Sequence, residues 1–235
     1  MQDLKLHEQF EIEVLDYLNS TRLLDNFVFG GGTMLRLCYE LNRYSVDLDF
    51  YFTEQSRENA EGIFAKIINE FEKKYVITDN QEKFHTFLLE IRHNNYPNRL
   101  KIEINKDRVY KNHKPMIAFS KHADHQVMVK TIPIAEMMEN KIRTFLDRKE
   151  IRDVFDIEFL YRRGIKLPAD SKKLRQLQIG IQQLTSTDFK VKLGSIVSPE
   201  FREYYNNSKF EFLEKDIHSA TNGSNFSASN RFHII

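Results

Sequence analysis

Apolar positions along this chain follow two rhythms, and each change of rhythm marks a change of element. Between Leu6 and Leu24, the residues Phe10, Val14, Leu15, Tyr17 and Leu18 fall on one side of a helical repeat, which predicts an amphipathic helix packed on a sheet. Phe27 to Phe29 then reads as a short strand and Thr33 to Leu41 as a helix. From Val46 to Phe52 the alternation is strict, with Val46, Leu48, Phe50 and Phe52 on one face and Asp47, Asp49 and Tyr51 on the other. Ser56 opens a helix through about Tyr75 whose inward positions are Ile63, Phe64, Ile67, Ile68 and Phe71. Strand patterns follow at Tyr75 to Thr78, Phe84 to Arg92 and Arg99 to Asn105, the last two separated by turn chemistry at Asn94-Asn95-Tyr96-Pro97-Asn98. After a polar loop rich in His and Lys, Gln126 to Ile132 is one more. Strands interleaved with helices in this way predict an α+β (α/β) fold with a mixed sheet.

Beyond Pro133 the pattern turns helical. Ile134 to Arg148 carries Met138, Ile142 and Phe145 on its apolar face with Lys141 at the edge, and further helices are expected from about Asp170 to Leu184, Thr187 to Leu193 and Pro199 to Ile217. Asn222 to Asn230, rich in Ser and Asn, reads as a loose tail. The chain therefore divides into an α+β core over residues 1–133 and a helical domain over 134–235. Between Tyr161 and Ser195 eight basic residues face two acidic ones, a local balance of +6. Such a stretch either grips nucleic-acid backbone or is simply solvated.

Composition narrows the function classes. The 235 residues are enough to bury a substantial core, and a net charge of +1 means that no global field recruits nucleic acid. The lone Cys38 excludes an internal disulfide and fits a reducing compartment, where it reads as a small buried residue rather than a nucleophile. The amino terminus lacks a basic-then-apolar signal pattern, and no apolar run is long enough to span a bilayer. A cytoplasmic protein is expected. The histidines show no paired spacing of the zinc kind, and no Ser/His/Asp elbow appears.

The chemistry concentrates between Val28 and Phe52. An apolar run ends in Gly30-Gly31-Gly32, Thr33 stands where a helix would begin, and the alternating strand then points Asp47 and Asp49 the same way. Carboxylates crowded on one sheet face repel, so the pattern calls for something positive between them. A divalent cation is the simplest candidate, because magnesium or manganese takes one or two carboxylates and completes its shell with substrate phosphates. The glycines let a ligand approach the main chain, Thr33 is placed to cap the helix, and amide groups at a helix start favour an anion such as a triphosphate. No Gly-Lys-Ser/Thr follows, so this is no Walker loop, and the second strand's paired carboxylates do not suit a dinucleotide fingerprint.

Gly32-Thr33, a thirteen-residue spacer and Asp47-Leu-Asp49 resemble the first motif of the polymerase-beta-like nucleotidyltransferases, in which a Gly-Ser pair precedes Asp-x-Asp/Glu. The longer string Gly-Gly-Thr-Met-Leu-Arg-Leu…Arg43-Tyr-Ser45-Val-Asp-Leu-Asp-Phe is similar to one branch, the AbiEii/AbiGii-type nucleotidyltransferase toxins. That branch also carries a downstream Lys…Arg…Arg-Asp-x-x-Asp pattern, matched by Lys141, Arg148, Arg152-Asp153 and Asp156. Thr33 replaces the superfamily's usual Ser.

The resemblance implies a third carboxylate on an adjacent strand, and Glu103 in Leu-Lys-Ile-Glu-Ile is the well-placed match, with a solvated strand face as its plain alternative. It further implies phosphates on Gly31, Gly32 and Thr33, metal on Asp47, Asp49 and Glu103, and phosphate charge neutralised by Lys141, Arg43 and Arg148. Ser45 either touches a phosphate or shapes the turn. Asp153 and Asp156 either pair with Lys141 and Arg148 or serve the helix dipole. The helical domain would form the other wall of the cleft. The implied activity is transfer of a nucleotide from an NTP to an acceptor hydroxyl, with RNA such as the tRNA acceptor end as acceptor and a cognate antitoxin as restraint. A small-molecule or protein acceptor, or nucleotide binding without turnover, remain the alternatives.

Overall fold

A computed structural model describes residues 2–221 of the protein, so the Ser- and Asn-rich stretch from Asn222 onward lies outside the described residues. The chain divides into two compact units, Met1–Pro133 and Ile134–Ile235.

The first unit is built on a seven-stranded mixed sheet. Its strands are β1 (Phe27–Gly30), β2 (Asp47–Thr53), β3 (Val76–Glu82), β4 (Thr86–Arg92), β5 (Leu100–Tyr110), β6 (Lys114–Ala118) and β7 (Val127–Thr131), in the order β3-β4-β5-β2-β1-β7-β6. β2 runs parallel to β5 and β1 parallel to β7, and the other neighbours are antiparallel. Among the described residues three α-helices complete the unit, α1 (Gln2–Ser20), α2 (Gly31–Tyr39) and α3 (Ala60–Phe71), with short 3-10 turns at Leu23–Asn26 and Arg57–Asn59. The alternation in β2 has the predicted consequence: Leu48, Phe50 and Phe52 are fully buried while Asp47, Asp49 and Tyr51 are half-buried on the other face. Val46, by contrast, lies before the strand and is exposed.

The inward faces of β4 and β5, with Phe87, Leu89, Ile91, Leu100, Ile102 and Ile104, extend the same apolar layer. Phe64 of α3 stacks on Phe87 at 4.5 Å, and Phe10 of α1 stacks on Tyr96, also at 4.5 Å. Burying each such aromatic stabilises the unit by roughly 1.5–3 kcal/mol.

Several boundaries differ from the sequence reading. α2 begins at Gly31, two residues early, and ends where Glu40 takes a left-handed conformation (φ 60) and the Leu41 amide turns back to the Leu35 carbonyl. The segment read as a polar loop contains β6. Lys114 and Pro115 disguised it, and the strand tolerates proline because it lies at the sheet edge.

The second unit is helical among its described residues: α4 (Ile134–Arg148), α5 (Ile151–Arg162), α6 (Ser171–Gln182), a π-helical turn Asp188–Leu193, α7 (Pro199–Ser208) and α8 (Glu211–Thr221). Asp170 caps α6, accepting from the Lys173 amide. Gly180 allows α6 to close on α4, since a Cβ there would lie 2.8 Å from the Phe145 ring. The single helix expected over 199–217 breaks at Lys209, which adopts φ 47.

Candidate active site

Three glycines in a row are needed because side chains rest on each of them. The Tyr51 ring and Ile132 cover Gly30, and a Cβ there would come within 2.9 Å of both. Gly31 has φ +73, in the left-handed region, and a Cβ would fall inside the Asp49 carboxylate. At Gly32 a Cβ would meet Arg43 Nη2 at 2.5 Å and Ser45 Oγ at 2.7 Å. Asp49, Arg43 and Ser45 are thereby gathered on the first turn of α2. The cap residue of that helix is Gly30, which has no side chain to offer, so the amides of Gly31, Gly32 and Thr33 begin the helix without a side-chain cap. Thr33 is not the cap: it is fully buried, and its hydroxyl donates to the Asp47 carbonyl at 2.6 Å. Arg43 is buried too, with Nη1 donating to the Tyr44 carbonyl.

Strand register assembles the acidic face. In the parallel β2–β5 pair, Asp47 lies opposite Lys101 and Asp49 opposite Glu103, while on the other side Asp49 is opposite Gly30. Asp49 thus sits between the glycine turn and Glu103. The positive group between the carboxylates is Lys101, whose ammonium is 2.9 Å from Glu103 Oε1 and 3.4 Å from Asp47 Oδ1. Burial works against that charge, but the hydrogen bond to Glu103 and the charges of Asp47 and Glu103 outweigh it and hold the ammonium above its ordinary range.

A buried polar layer braces the start of β2 from behind. His7 Nε2 of α1 donates to the Val46 carbonyl at 2.9 Å, next to the Thr33–Asp47 bond. Burial keeps the His7 imidazole below its usual range and therefore neutral. Glu11, fully buried 3.5 Å from the Thr33 hydroxyl, is pushed well above the carboxylate range by burial and by the nearby Glu8 and Asp47 charges. Glu8 is tied to Arg36 at 2.8 Å and to the Ser120 hydroxyl at 2.5 Å. This layer was overlooked in the sequence, although Glu11 falls among the apolar positions of α1, where a carboxylate needs a reason. Cys38 has a thiol pushed up to about 12 by burial, which leaves it inert.

In the second unit, Lys141 of α4 is buried, with Nζ 2.6 Å from Asp156 and 3.5 Å from Asp153 on α5. Arg148 grips the same Asp153 through Nε at 2.7 Å and Nη2 at 2.8 Å. Both aspartates are wholly buried, and the ion pairs that join them to Lys141 and Arg148 pin α4 to α5.

With that geometry in place, comparison with known proteins is decisive. The sequence profile of the family described as nucleotidyl transferase AbiEii toxin, type IV TA system, matches residues 14–218. The chain belongs to the AbiEii nucleotidyltransferase toxin family. It is thus a toxin nucleotidyltransferase, and the type IV system implies a cognate antitoxin and an NTP substrate. No curated protein matches it by sequence.

Among solved structures, this AbiEii-family chain is similar to JHP933 from Helicobacter pylori, with 19% identity, TM-score 0.55, and 92% of this chain and 95% of that one covered. A second H. pylori structure, assigned as a nucleotidyltransferase, gives 20% identity, TM-score 0.56, and coverage of 90% and 96%. These likenesses speak to the fold. MenT4, a nucleotidyltransferase toxin from Mycobacterium tuberculosis, superposes more loosely, at TM-score 0.47 with 15% identity over 93% and 95% of the two chains. No helix among the described residues is long and apolar enough to cross a membrane.

AbiEii-family membership suggests a divalent metal in general, and the residues of the acidic face fit one. Their donors are hard carboxylate oxygens, and Lys101 already marks a point between Asp47 and Glu103 where a cation is held. Among the described residues no three His, Cys, Asp or Glu side chains close around one point. A magnesium-like ion does not require that, since phosphate and water oxygens complete its shell.

Proposed function

We propose that this toxin moves a nucleotide from an NTP, with magnesium or manganese, to a hydroxyl of RNA such as the tRNA acceptor end. One observation carries the reading: register places Asp49 against both the α2 turn and Glu103, so a phosphate-binding helix start and a carboxylate pair share one small area. The amides of Gly31, Gly32 and Thr33 bind the phosphates at the positive end of α2, and Thr33 contributes through its main chain because its hydroxyl is engaged with Asp47. Arg43 and Ser45, packed on Gly32, add a guanidinium and a hydroxyl at the same turn. Asp47, Asp49 and Glu103 are the residues that would hold the divalent cation. When bound, such a cation supplies charge stabilisation to the attacking and leaving oxygens of an in-line displacement.

The acceptor hydroxyl forms a bond to the α-phosphorus, the bond from that phosphorus to the β-phosphate oxygen breaks, and pyrophosphate leaves. Glu103 or Asp49 takes the proton released by the hydroxyl. We assign Lys141 and Arg148 to holding α4 on α5 through Asp153 and Asp156 rather than to the phosphates, because Lys141 is buried and both cations are already matched by carboxylates.

A second reading, with a small molecule or a protein side chain as acceptor, draws support from the helical unit. There Arg162, Lys173 and Lys192 are paired with Glu158, Glu139 and Asp188, which offsets the charge of three of the eight basic residues counted in the sequence. Incubating the protein with each labelled NTP, magnesium and total RNA tests the proposal. Label in a discrete RNA band supports it. Label that stays in the nucleotide, or moves only to protein or small molecules, overturns the RNA acceptor.

A further inference from the structure

The acidic face holds its own cation. Lys101 projects from β5 on the same side as Glu103, opposite Asp47 on β2 and, across its other edge, opposite Glu90 on β4. Three adjacent strands therefore carry carboxylate, ammonium, carboxylate in one row. Lys101 is seated toward Glu103 and Asp47, at 2.9 and 3.4 Å. Glu90 is engaged with Arg99 at 2.8 Å and with the Thr78 hydroxyl at 2.7 Å, and it faces the exposed side of the sheet. The lysine side chain is about a third exposed and has four rotatable methylenes, so it can exchange seats without disturbing the core. Two unlike cations do not share one carboxylate pair at this spacing, since their repulsion would cancel much of each attraction.

We propose that Lys101 is a tethered competitor for the divalent cation, filling the Asp47–Glu103 seat until the metal arrives and then swinging to Glu90. The inference rests on the metal reading given above. With its seat filled, the free protein binds a bare divalent ion weakly, and loading is favoured when the ion comes with phosphates that pay for the displacement. Lys101 is in this sense a positioning residue: it sets how tightly the ion is held and where positive charge sits before and after loading.

The test is Mn2+ binding to the full chain without nucleotide, followed by the electron spin resonance of free Mn2+, for wild type, Lys101→Met, Glu90→Gln and the double variant, with folding checked by thermal melts. Lys101→Met should tighten binding about tenfold. Glu90→Gln should weaken it about threefold in the wild-type background, where the displaced lysine loses its second seat, and leave it unchanged in the Lys101→Met background. Lys101→Arg, which keeps the charge and can grip a carboxylate more firmly, should bind Mn2+ no more tightly than wild type and guards against a misfolded methionine variant. Unchanged or weaker binding in Lys101→Met overturns the proposal, as does a Glu90→Gln effect of equal size in both backgrounds, which would mean that the charges act at a distance without exchange of seats. Binding indifferent to Asp47→Asn overturns the metal reading itself, and the role of Lys101 with it.

Discussion

The molecule contains two charged clusters of nearly the same composition and different character. In the first unit, Asp47, Glu103 and Lys101 meet on a sheet face where the side chains are 24 to 36% exposed. In the second, Lys141, Asp153 and Asp156 meet between two helices where no side chain exceeds 9%. Burial separates the roles. Water and incoming ions can compete for the first set, which makes its cation exchangeable, whereas the second set has already lost its hydration and depends on its partners. Carboxylates and a lysine in a sequence motif thus do not declare whether they serve chemistry or cohesion until their exposure is known.

Removing the metal should separate the clusters most sharply. Chelation of divalent cations is expected to suppress nucleotide transfer by at least about a thousandfold, the scale of losing several kcal/mol of transition-state stabilisation, while the thermal midpoint moves little. Transfer that persists in chelator would remove the distinction. The opposite signature belongs to Lys141→Ala, which takes from the buried Asp153 and Asp156 the ammonium that faces them. Denaturant unfolding should show a loss of about 3–5 kcal/mol. A loss below about 1 kcal/mol would show that the pair is not holding α4 on α5.

A smaller effect tests the acceptor. Lys172, Arg175 and Lys190 are exposed and, among the described residues, pair with no carboxylate, unlike Lys173, which is tied to Glu139. If the helical unit grips RNA, changing these three to Gln should flatten the plot of log affinity against log salt by about 2, at roughly 0.7 per phosphate contact. Equal slopes would leave them as a solvated face.

The subtlest effect concerns Glu11. Its folded carboxyl holds a proton well above the ordinary value of 4.5, so the folded chain retains a proton that the unfolded chain releases. Stability is therefore fully present below that ordinary value and falls as pH rises toward the elevated folded one. Glu11→Gln should flatten this decline in urea midpoints measured across pH, whereas an unchanged slope would assign it to other groups.

The sequence made the central strand legible because its signal is local: Leu48, Phe50 and Phe52 against Asp47 and Asp49 is a pattern of period two that only a half-buried strand explains. The glycine turn was equally readable. Its reason was not, since the contacts of Asp49, Arg43 and Ser45 with Gly31 and Gly32 depend on folding back residues that lie many positions later. Lys101 illustrates the same limit. Alternation placed it beside Glu103, but that its ammonium also reaches Asp47 follows from the parallel register of β2 and β5, a long-range pairing with no local trace. Strand β6 escaped because Pro115 and the surrounding lysines are compatible with an edge strand and a loop alike, and α7 was run into α8 because the left-handed Lys209 is not a residue that announces a break.

If transfer resides on the β2–β5 face, it depends on the carboxylates there. The most direct measurement is the rate of label transfer by Asp49→Asn beside its thermal midpoint, because this near-isosteric change removes one charge from the junction of the glycine turn and Glu103. The rate should fall at least about a thousandfold with the midpoint within a few degrees of wild type. A rate within tenfold of wild type would contradict it, and so would a loss of rate that merely tracks the loss of folded protein.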